Sequence, residues 1–364
     1  MIYSDIAHQR IYSQRLADEP FQKVEDVVEW LGAVQSQDYG GAKWALGLRL
    51  EGVTDAAIDQ MFNDGKILRT HVMRPTWHFV TPADVRWMLE LTAPRVRALC
   101  AYAYRQFELD DAIFAQTNRV LVKALQGGNQ LTRPEIATAL EQAGIHTENL
   151  LRVGHIIMRA ELDGMICSGA RRGKQFSYAL LDERAPQAIR LERDEALAEL
   201  VKRYFISHGP ATAQDFAWWS GLTMADTKTG IEMVKSELNQ EVVGEETYWF
   251  GASAKLAKAS ASTAYLLPNW DEITVGYTER SRALIYDAPV KLNPDPRADS
   301  LLNNVIVINA RIVGMWKRTF KRGAAVIDIA PFIPLTDVEN QAVASAAQRF
   351  GEFLDMPIVL LFES

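Results

Sequence analysis

The sequence predicts an α+β fold, in which helices and strands fall into successive sets along the chain. Three successive sets of helices, each followed by a β-hairpin pattern, recur at a period of roughly 60–80 residues. Beyond them, short β-branched runs separated by turn signals replace the helical patterns. Helices closed by a hairpin have the outline of a winged-helix motif. We therefore expect three tandem winged-helix motifs, followed by a β-barrel-like domain.

The expected boundaries follow from these patterns. The three modules and the β-rich domain with its closing helix are expected over residues 1–108, 109–187, 188–255 and 256–364. The first module has helical patterns over 4–17 and 24–36, and strand patterns over 67–73 and 76–80. Later helices start at capping boxes, Thr132 with Glu135 and Thr223 with Asp226. In the last domain, strands are expected over 283–286, 305–308, 312–317 and 325–329.

Composition limits the compartment and the class of protein. The 364 residues carry a net charge of −7, and their two cysteines do not suggest a disulfide framework. The chain shows neither an apolar run of the ~20 residues that span a membrane nor a signal-peptide core. We expect a cytoplasmic protein that acts as a monomer without a membrane. The acidic balance argues against nucleic acid only weakly, because phosphate binding needs a local basic surface.

One polar stretch interrupts the first module. Gln35 and Gln37 flank a single residue, and Asp38 and the breaker pair Gly40–Gly41 follow. Residues two apart on a helix point about 200° apart, so two cooperating glutamines fit a helix end or the extended turn after it. The alternative is a polar helix end in front of a glycine turn. For Asp38 the corresponding alternative is a turn carboxylate.

Basic residues are expected to cluster at hairpin tips. Such clusters favour a surface that contacts phosphates, although each cluster alone is also consistent with an ordinary solvated surface. A strand histidine such as His71 is also consistent with a structural role. The candidate DNA-binding residues are Arg69, His71 and Arg74 in the first hairpin, Arg171, Arg172 and Lys174 in the second, and Arg280, Lys317, Arg318, Lys321 and Arg322 in the last domain.

Several familiar sites are absent from the sequence. It contains no GxGxxG or Walker loop, no Cys/His spacing typical of zinc, and no GxSxG elbow. We therefore expect neither a cofactor nor a metal.

Four stretches resemble one family. AVQSQDYGGAKWALGLR, RTHVMRPTWHFVTPADVRWM, LLPNWDEITVGYTERSRAL and VINARIVGMWKRTFKRGAAVIDIAPF resemble the AlkZ-like (AlkZ/YcaQ) winged-helix DNA glycosylases over essentially the whole chain. The resemblance implies a C-shaped arrangement with a concave DNA channel. It also implies that Gln35 and Gln37 form a catalytic Gln-x-Gln pair with Asp38 as candidate support. Ser36 stands where the family has a more apolar residue.

The resemblance implies hydrolysis of alkylated purines in double-stranded DNA, including interstrand crosslinks. A purine alkylated at N7 or N3 is already cationic and leaves readily, so positioned amides suffice where a strong base is lacking. No lysine stands out as a Schiff-base nucleophile, so we expect a monofunctional enzyme. The family also grips DNA with a C-terminal hairpin, for which Met315–Arg322 is the candidate by its chemistry.

Two other functions are consistent with the sequence. A non-enzymatic winged-helix DNA-binding protein, either a regulator or an architectural factor, would bind one sequence without preference for a lesion. A self-resistance protein would bind a DNA-damaging small molecule without DNA.

Overall fold

The computed structural model of the chain describes residues 2–252, 263–278, 284 and 304–363. These residues form a mixed α+β fold in which helices dominate the first two thirds and a sheet dominates the last third. Within these ranges, no helix is both long and apolar enough to cross a membrane.

The first region ends in a three-stranded antiparallel sheet with strand order β1-β3-β2. Its elements are α1 (Tyr3–Ser13), α2 (Val24–Leu31), β1 (Val34–Gln35), α3 (Tyr39–Gly47), α4 (Asp55–Asn63), β2 (Leu68–His71) and β3 (Trp77–Val80). Thr54 caps α4 through its side chain, which accepts the Ala57 N–H.

The predicted helix over 24–36 is wrong in its last turn. Helix α2 ends at Leu31 because Gly32 adopts a φ of +77°, a conformation that glycine tolerates and that ends helices. A side chain at Gly32 would also meet Trp219, since a Cβ there would lie 3.2 Å from the indole. The chain then turns into β1, where Gln35 pairs with His78 of β3. The glutamines therefore lie on a strand and the turn after it, and the interpretation as a helix end is wrong.

The next two regions repeat the order of helices followed by antiparallel strands. The second contains α5 (Val85–Gln106), α6 (Asp111–Leu125), β4 (Leu131–Thr132), α7 (Arg133–Gln142), α8 (Leu150–Leu162), β5 (Ile166–Ser168), β6 (Ser177–Leu180) and α9 (Leu181–Arg184). The third contains α10 (Arg193–His208), α11 (Ala213–Ser220), α12 (Met224–Val234), β7 (Leu238–Val243) and β8 (Glu246–Gly251). Both predicted capping boxes, at Thr132 and Thr223, are confirmed.

The last region is a curled, half-barrel sheet of five strands, in the order β13-β12-β11-β10-β9. Strands β12 and β13 are parallel and the other neighbours are antiparallel. Its elements are β9 (Ala264–Leu266), α13 (Glu272–Val275), β10 (Val305–Ile308), β11 (Arg311–Lys321), β12 (Ala324–Pro331), α14 (Asp337–Leu354) and β13 (Ile358–Phe362). The strand expected over 283–286 lies outside the described residues, except for residue 284.

One hydrophobic core joins the first region to the half-barrel sheet. Trp44 of α3 is 1% exposed and packs against Phe350 and Phe353 of α14. Its indole N–H donates to the Leu266 carbonyl oxygen of β9 at 2.7 Å. Truncating such a buried tryptophan costs about 3–5 kcal/mol. The segment that follows β9 is therefore held firmly against the first region, where it meets the glutamine pair.

Candidate active site

The glutamine pair lies where the chain leaves β1, and its two members differ in exposure. Gln35 is 9% exposed, whereas Gln37 is exposed to solvent. Pairing with β3 continues one residue past β1, because the Ser36 N–H donates to the Trp77 carbonyl oxygen at 2.7 Å. Alternate residues of an extended chain face the same side, so Gln35 and Gln37 can act on one ligand. Ser36 between them is fully buried.

The side chain of Gln35 is held by Arg74, which lies in the turn between β2 and β3. Arg74 Nη2 donates to Gln35 Oε1 at 2.9 Å. Arg74 Nη1 donates to the carbonyl oxygens of Trp219 and Trp218, at 3.0 and 3.4 Å. These carbonyls belong to the last turn of α11, where the helix dipole favours a cation. The carbonyl oxygen of Gln35 is therefore engaged, and its amide NH2 is the part left for a ligand.

The backbone of Gln35 is held by Glu272, the first residue of α13. The Gln35 N–H donates to Glu272 Oε1 at 3.0 Å, and the Trp219 indole N–H donates to Glu272 Oε2 at 2.9 Å. Together with the two Arg74 contacts, these bonds close a ring in the order Gln35, Glu272, Trp219 and Arg74. The ring joins three segments that are far apart in the sequence.

Glu272 is a fixed negative charge beside the glutamine pair. Burial would raise its pKa, but the hydrogen bonds from His208 and the Gln35 N–H, together with the charge of Arg74, hold the pKa of Glu272 below its ordinary value. Burial lowers the pKa of His208. A neutral His208 therefore donates its Nε2–H toward the ionised carboxylate, 3.4 Å away.

A buried ion pair anchors α13 next to Glu272. Arg49 donates through both terminal nitrogens to the two carboxylate oxygens of Asp271, each at 2.9 Å, and both side chains are 0% exposed. Asp271 Oδ1 also accepts the Ile273 N–H and so caps the short helix. Arg49 further donates to Gln14 Oε1 at 3.1 Å. A bidentate pair of this kind fixes the orientation of both partners, so the position of Glu272 is well determined.

Asp38 lies at the start of α3, and its carboxylate points toward the half-barrel sheet. Its Oδ2 is 3.3 Å from Arg318 Nη2 of β11. The side chain makes no capping bond to α3, which argues against a purely local turn role. A side chain at Gly41 would displace this carboxylate, because a Cβ there would lie 2.8 Å from Asp38 Oδ2. Asp38 therefore links the glutamine turn to β11.

Two candidate DNA-binding residues of the first hairpin are not at an exposed tip, and that expectation is wrong. Arg69 is buried, with its guanidinium 4.3 Å from the Trp77 ring centre and 4.4 Å from the Phe176 ring centre. Burial lowers the pKa of Arg69 to about 10, which keeps it charged at neutral pH. His71 is also buried, and its Nδ1 contacts the Glu161 carboxylate. Arg69 donates instead to the Ser36 carbonyl oxygen at 3.2 Å, so both side chains have their partners inside the protein.

The second hairpin presents a mixed basic tip. Arg171 is partly buried and pairs with Asp59 of α4 at 3.2 Å. Arg172 is exposed and pairs with Glu135 at 2.8 Å, and Lys174 is exposed beside it. The tip thus combines a contact to the first region with exposed positive charge.

The hairpin of β11 and β12 carries the basic stretch of the last region. Lys317, Lys321 and Arg322 are exposed, as is Phe320 at 58%. Arg318 is partly buried by its contact with Asp38. The hairpin thus presents cations and an aromatic side chain, mostly from β11, the strand whose Arg318 contacts Asp38. Arg280 lies outside the described residues.

Sequence reasoning missed the buried half of the site. It did not assign roles to Arg49, Trp219, Asp271 and Glu272, which hold Gln35 in place. Adjacent carboxylates within the apolar stretch LLPNWDEIT were the available signal, because buried acids require partners. Their partners could not be named from spacing, since Arg49 and Trp219 come from distant parts of the chain.

The geometry supports positioning chemistry better than proton abstraction. Amides donate and accept hydrogen bonds but are poor bases at neutral pH. The nearby carboxylates of Asp38 and Glu272 would favour positive charge in a ligand. Within the part of the chain that the structure covers, no group of three or more His, Cys, Asp or Glu residues could hold a metal ion.

Comparison with known proteins identifies the family and the fold of the chain. A family model described as DNA glycosylase AlkZ-like matches residues 28–353. The chain is 24% identical to an interstrand DNA cross-link repair glycosylase of Streptomyces sahachiroi, over 94% of this chain and 95% of that protein. The solved structure of the DNA glycosylase AlkZ from the same organism superposes with a TM-score of 0.77 at 20% identity, covering 99% of this chain and 100% of that one.

Proposed function

The chain belongs to the AlkZ-like family of DNA glycosylases, hydrolases of N-glycosyl bonds, and from that premise we propose its substrate and mechanism. The substrate is a purine alkylated at N7 or N3 in double-stranded DNA, and the product is an abasic site without strand cleavage. The relative from Streptomyces sahachiroi is a cross-link repair glycosylase, so we extend the proposal to purines that link the two strands.

The observation that carries the proposal is the asymmetry of the glutamine pair. Gln35 is fixed through its backbone by Glu272 and through its side chain by Arg74. Gln37 is exposed, with its Oε1 3.5 Å from the Trp77 nitrogen, a contact too long to immobilise it. One amide is thus preorganised, and the other is available to a water molecule and a sugar.

In the proposed reaction, the bond between the sugar and the cationic purine breaks toward an oxocarbenium-like sugar. The exposed carbonyl oxygen of Gln37 accepts a hydrogen bond from the attacking water and aims it at the anomeric carbon. The NH2 of Gln35 holds a phosphate or the Gln37 amide in register. Orienting the attacking water in this way lowers the activation barrier without a strong base. It is sufficient only for leaving groups that are already activated, such as a cationic purine.

Local charge supports the same reaction. The ionised carboxylate of Glu272 accepts the Gln35 N–H, and the carboxylate of Asp38 belongs to the residue that follows Gln37 in the chain. Fixed negative charge in a desolvated site stabilises a developing cation more strongly than it would in water. Asp38 is shared with Arg318, so we assign it to support rather than to direct attack.

The DNA surface is also part of the proposal. We interpret the helix-and-hairpin regions, divided near residues 108, 187 and 255, as three winged-helix motifs that form a C-shaped, concave channel with the half-barrel domain of a monomeric protein. Phosphates would meet the exposed cations of the two hairpins: Arg172 and Lys174 in one, and Lys317, Lys321 and Arg322 in the other. Arg74, Arg171 and Arg318 would contribute from partly buried positions.

Base release from defined duplexes tests the substrate class. Duplexes carrying one N7-methylguanine, one N3-methyladenine, one uracil or no lesion are incubated with the enzyme, and free bases and strand breaks are measured separately. The proposal predicts release of the two methylated purines, abasic sites that break only after alkali, and no release from the other two duplexes. Release of uracil with retention of both methylated purines would overturn the substrate assignment.

A further inference from the structure

The ring around Gln35 contains a carboxylate whose hydrogen bonds, apart from its charge, hold Gln35 in place. Glu272 is 0% exposed; its Oε1 accepts the Gln35 N–H at 3.0 Å, and its Oε2 accepts the Trp219 indole N–H at 2.9 Å and faces His208 Nε2 at 3.4 Å. Burying an unpaired anion is very unfavourable, and apolar residues of similar volume usually stabilise a core at least as well. The presence of an acid here therefore points to a role besides stability.

Two residues, Asp271 and Trp219, fix the position of Glu272. Asp271, the preceding residue, is locked by the bidentate contact with Arg49. Trp219, which binds the second oxygen, is fully buried and packs against Gly32, just before β1. Trp219 also accepts Arg74 Nη1 at its carbonyl oxygen, and Arg74 in turn holds the Gln35 amide. Displacing Glu272 would therefore disturb both the backbone and the side chain of Gln35.

We propose that Glu272 is a positioning residue: its carboxylate fixes the position of Gln35 by accepting the Gln35 backbone N–H, and Trp219 holds the carboxylate in the required orientation. This inference rests on the proposed function of the glutamine pair. It adds Glu272 and Trp219, which lie outside the first region, to the residues that position the pair. Glu272 does not touch the substrate. Its effect passes through the peptide of Gln35 and through the Trp219–Arg74 arm of the ring.

The test uses Glu272→Gln, which keeps the shape of the side chain. An amide presents one oxygen and one NH2, whereas Gln35 and Trp219 each donate an N–H to a different oxygen of Glu272. One of these two bonds must therefore break, so Gln35 loses either its direct anchor or the Trp219 contact that orients this anchor. Small displacements of reacting groups can cost about a hundredfold in rate. We expect the single-turnover rate of N7-methylguanine release to fall about tenfold to a hundredfold, while the Kd for the same duplex changes less than about threefold.

The chain offers a closely matched control. Trp87 is 1% exposed and donates its indole N–H to the buried carboxylate of Asp84 at 2.9 Å, the same kind of pair as Trp219 with Glu272. Trp219→Phe removes one donor to Glu272 and should lower the release rate by several fold. Trp87→Phe and Asp84→Asn should leave the release rate within about twofold of the wild type, even where they lower stability.

A second readout does not depend on catalysis. Hydrogen exchange of the Gln35 amide, followed by mass spectrometry on overlapping peptides, reports whether its N–H remains bound to a carboxylate. We expect exchange at least about tenfold faster in Glu272→Gln than in Trp87→Phe. If Glu272→Gln does not fold, Trp219→Phe carries both measurements.

The outcomes separate this inference from the proposed function. If Gln37→Ala abolishes release while Glu272→Gln or Trp219→Phe keeps the wild-type rate, the positioning role is wrong and the proposed function stands. If the wild type releases no methylated purine, the proposed function fails, and the hydrogen-exchange comparison alone decides whether Glu272 holds Gln35. Unchanged exchange at Gln35 in the variant refutes the inference in either case.

Discussion

The side chain of Arg74 could bind a DNA phosphate or orient Gln35. The sequence suggests a phosphate contact at a hairpin, whereas the structure places its guanidinium between Gln35 Oε1 at 2.9 Å and the last carbonyls of α11. The informative changes are Arg74→Lys, which keeps the charge, and Arg74→Met, which keeps only the aliphatic stem. A lysine presents a single ammonium group and cannot span both partners as the planar guanidinium does.

The magnitude follows from the bond that is lost. A hydrogen bond to a charged group is worth about 1.5–3 kcal/mol, and each 1.36 kcal/mol is about tenfold in rate. If Arg74 orients Gln35, both variants should lower the single-turnover release of N7-methylguanine about tenfold to a hundredfold. If it mainly binds phosphate, Arg74→Lys should be nearly wild type and Arg74→Met should weaken DNA binding.

The assay measures the release rate at saturating enzyme alongside Kd at several salt concentrations. Removing one phosphate contact lowers the slope of log Kd against log salt by about 0.9. Arg172→Met, at the exposed tip of the second hairpin, serves as the comparison, because it should change that slope without changing the rate at saturation. Wild-type rates for Arg74→Lys, with an altered slope only for Arg74→Met, would refute the orienting role.

Two further predictions concern stability. Asp271→Asn leaves the buried Arg49 charge without its counterion and should lower the free energy of unfolding, measured by urea titration, by about 3–5 kcal/mol. The apolar double variant Arg49→Met/Asp271→Leu should recover most of that loss. An Asp271→Asn variant as stable as the wild type would contradict this prediction. Burial, followed by the charge of Arg74, holds the pKa of His78 well below its ordinary 6.5. The folded state therefore binds fewer protons than the unfolded state, and stability should fall as the pH drops below about 6.5, by at most about 1.4 kcal/mol per pH unit for this group. His78→Gln should show a shallower decline between about pH 7.5 and pH 5, and an unchanged slope would contradict the assignment.

Local signals in the sequence predicted the local structure well. The capping boxes predicted at Thr132 and Thr223 mark real helix starts, because capping depends on residues within one turn. The helix predicted through residue 36 failed because apolar spacing continued past Gly32, whose positive φ ends the helix. Strand β1 forms only because β3 is available to pair with it, which is a tertiary effect that a local pattern does not report.

The sequence pointed to the glutamine pair and to the exposed basic tips, but not to the buried residues that hold Gln35. Gln37 and the basic tips were recognisable as unusual polar residues, whereas Arg69 and His71 were misplaced because their burial depends on Trp77, Phe176 and Glu161. The role that we assign to Glu272 depends on its hydrogen bond with Gln35, which is 237 positions away in the chain. Such contacts depend on the packing of the half-barrel sheet against the first region, and residue spacing carries no information about them.

The central claim is that the glutamine pair performs the hydrolysis. The most direct measurement compares the single-turnover release of N7-methylguanine by the wild type, Gln37→Ala and Gln35→Ala, with Kd for the same duplex measured for each. Loss of water positioning should lower release by about a hundredfold or more in Gln37→Ala, with Kd within about threefold of the wild type. Full release by both variants would contradict the account.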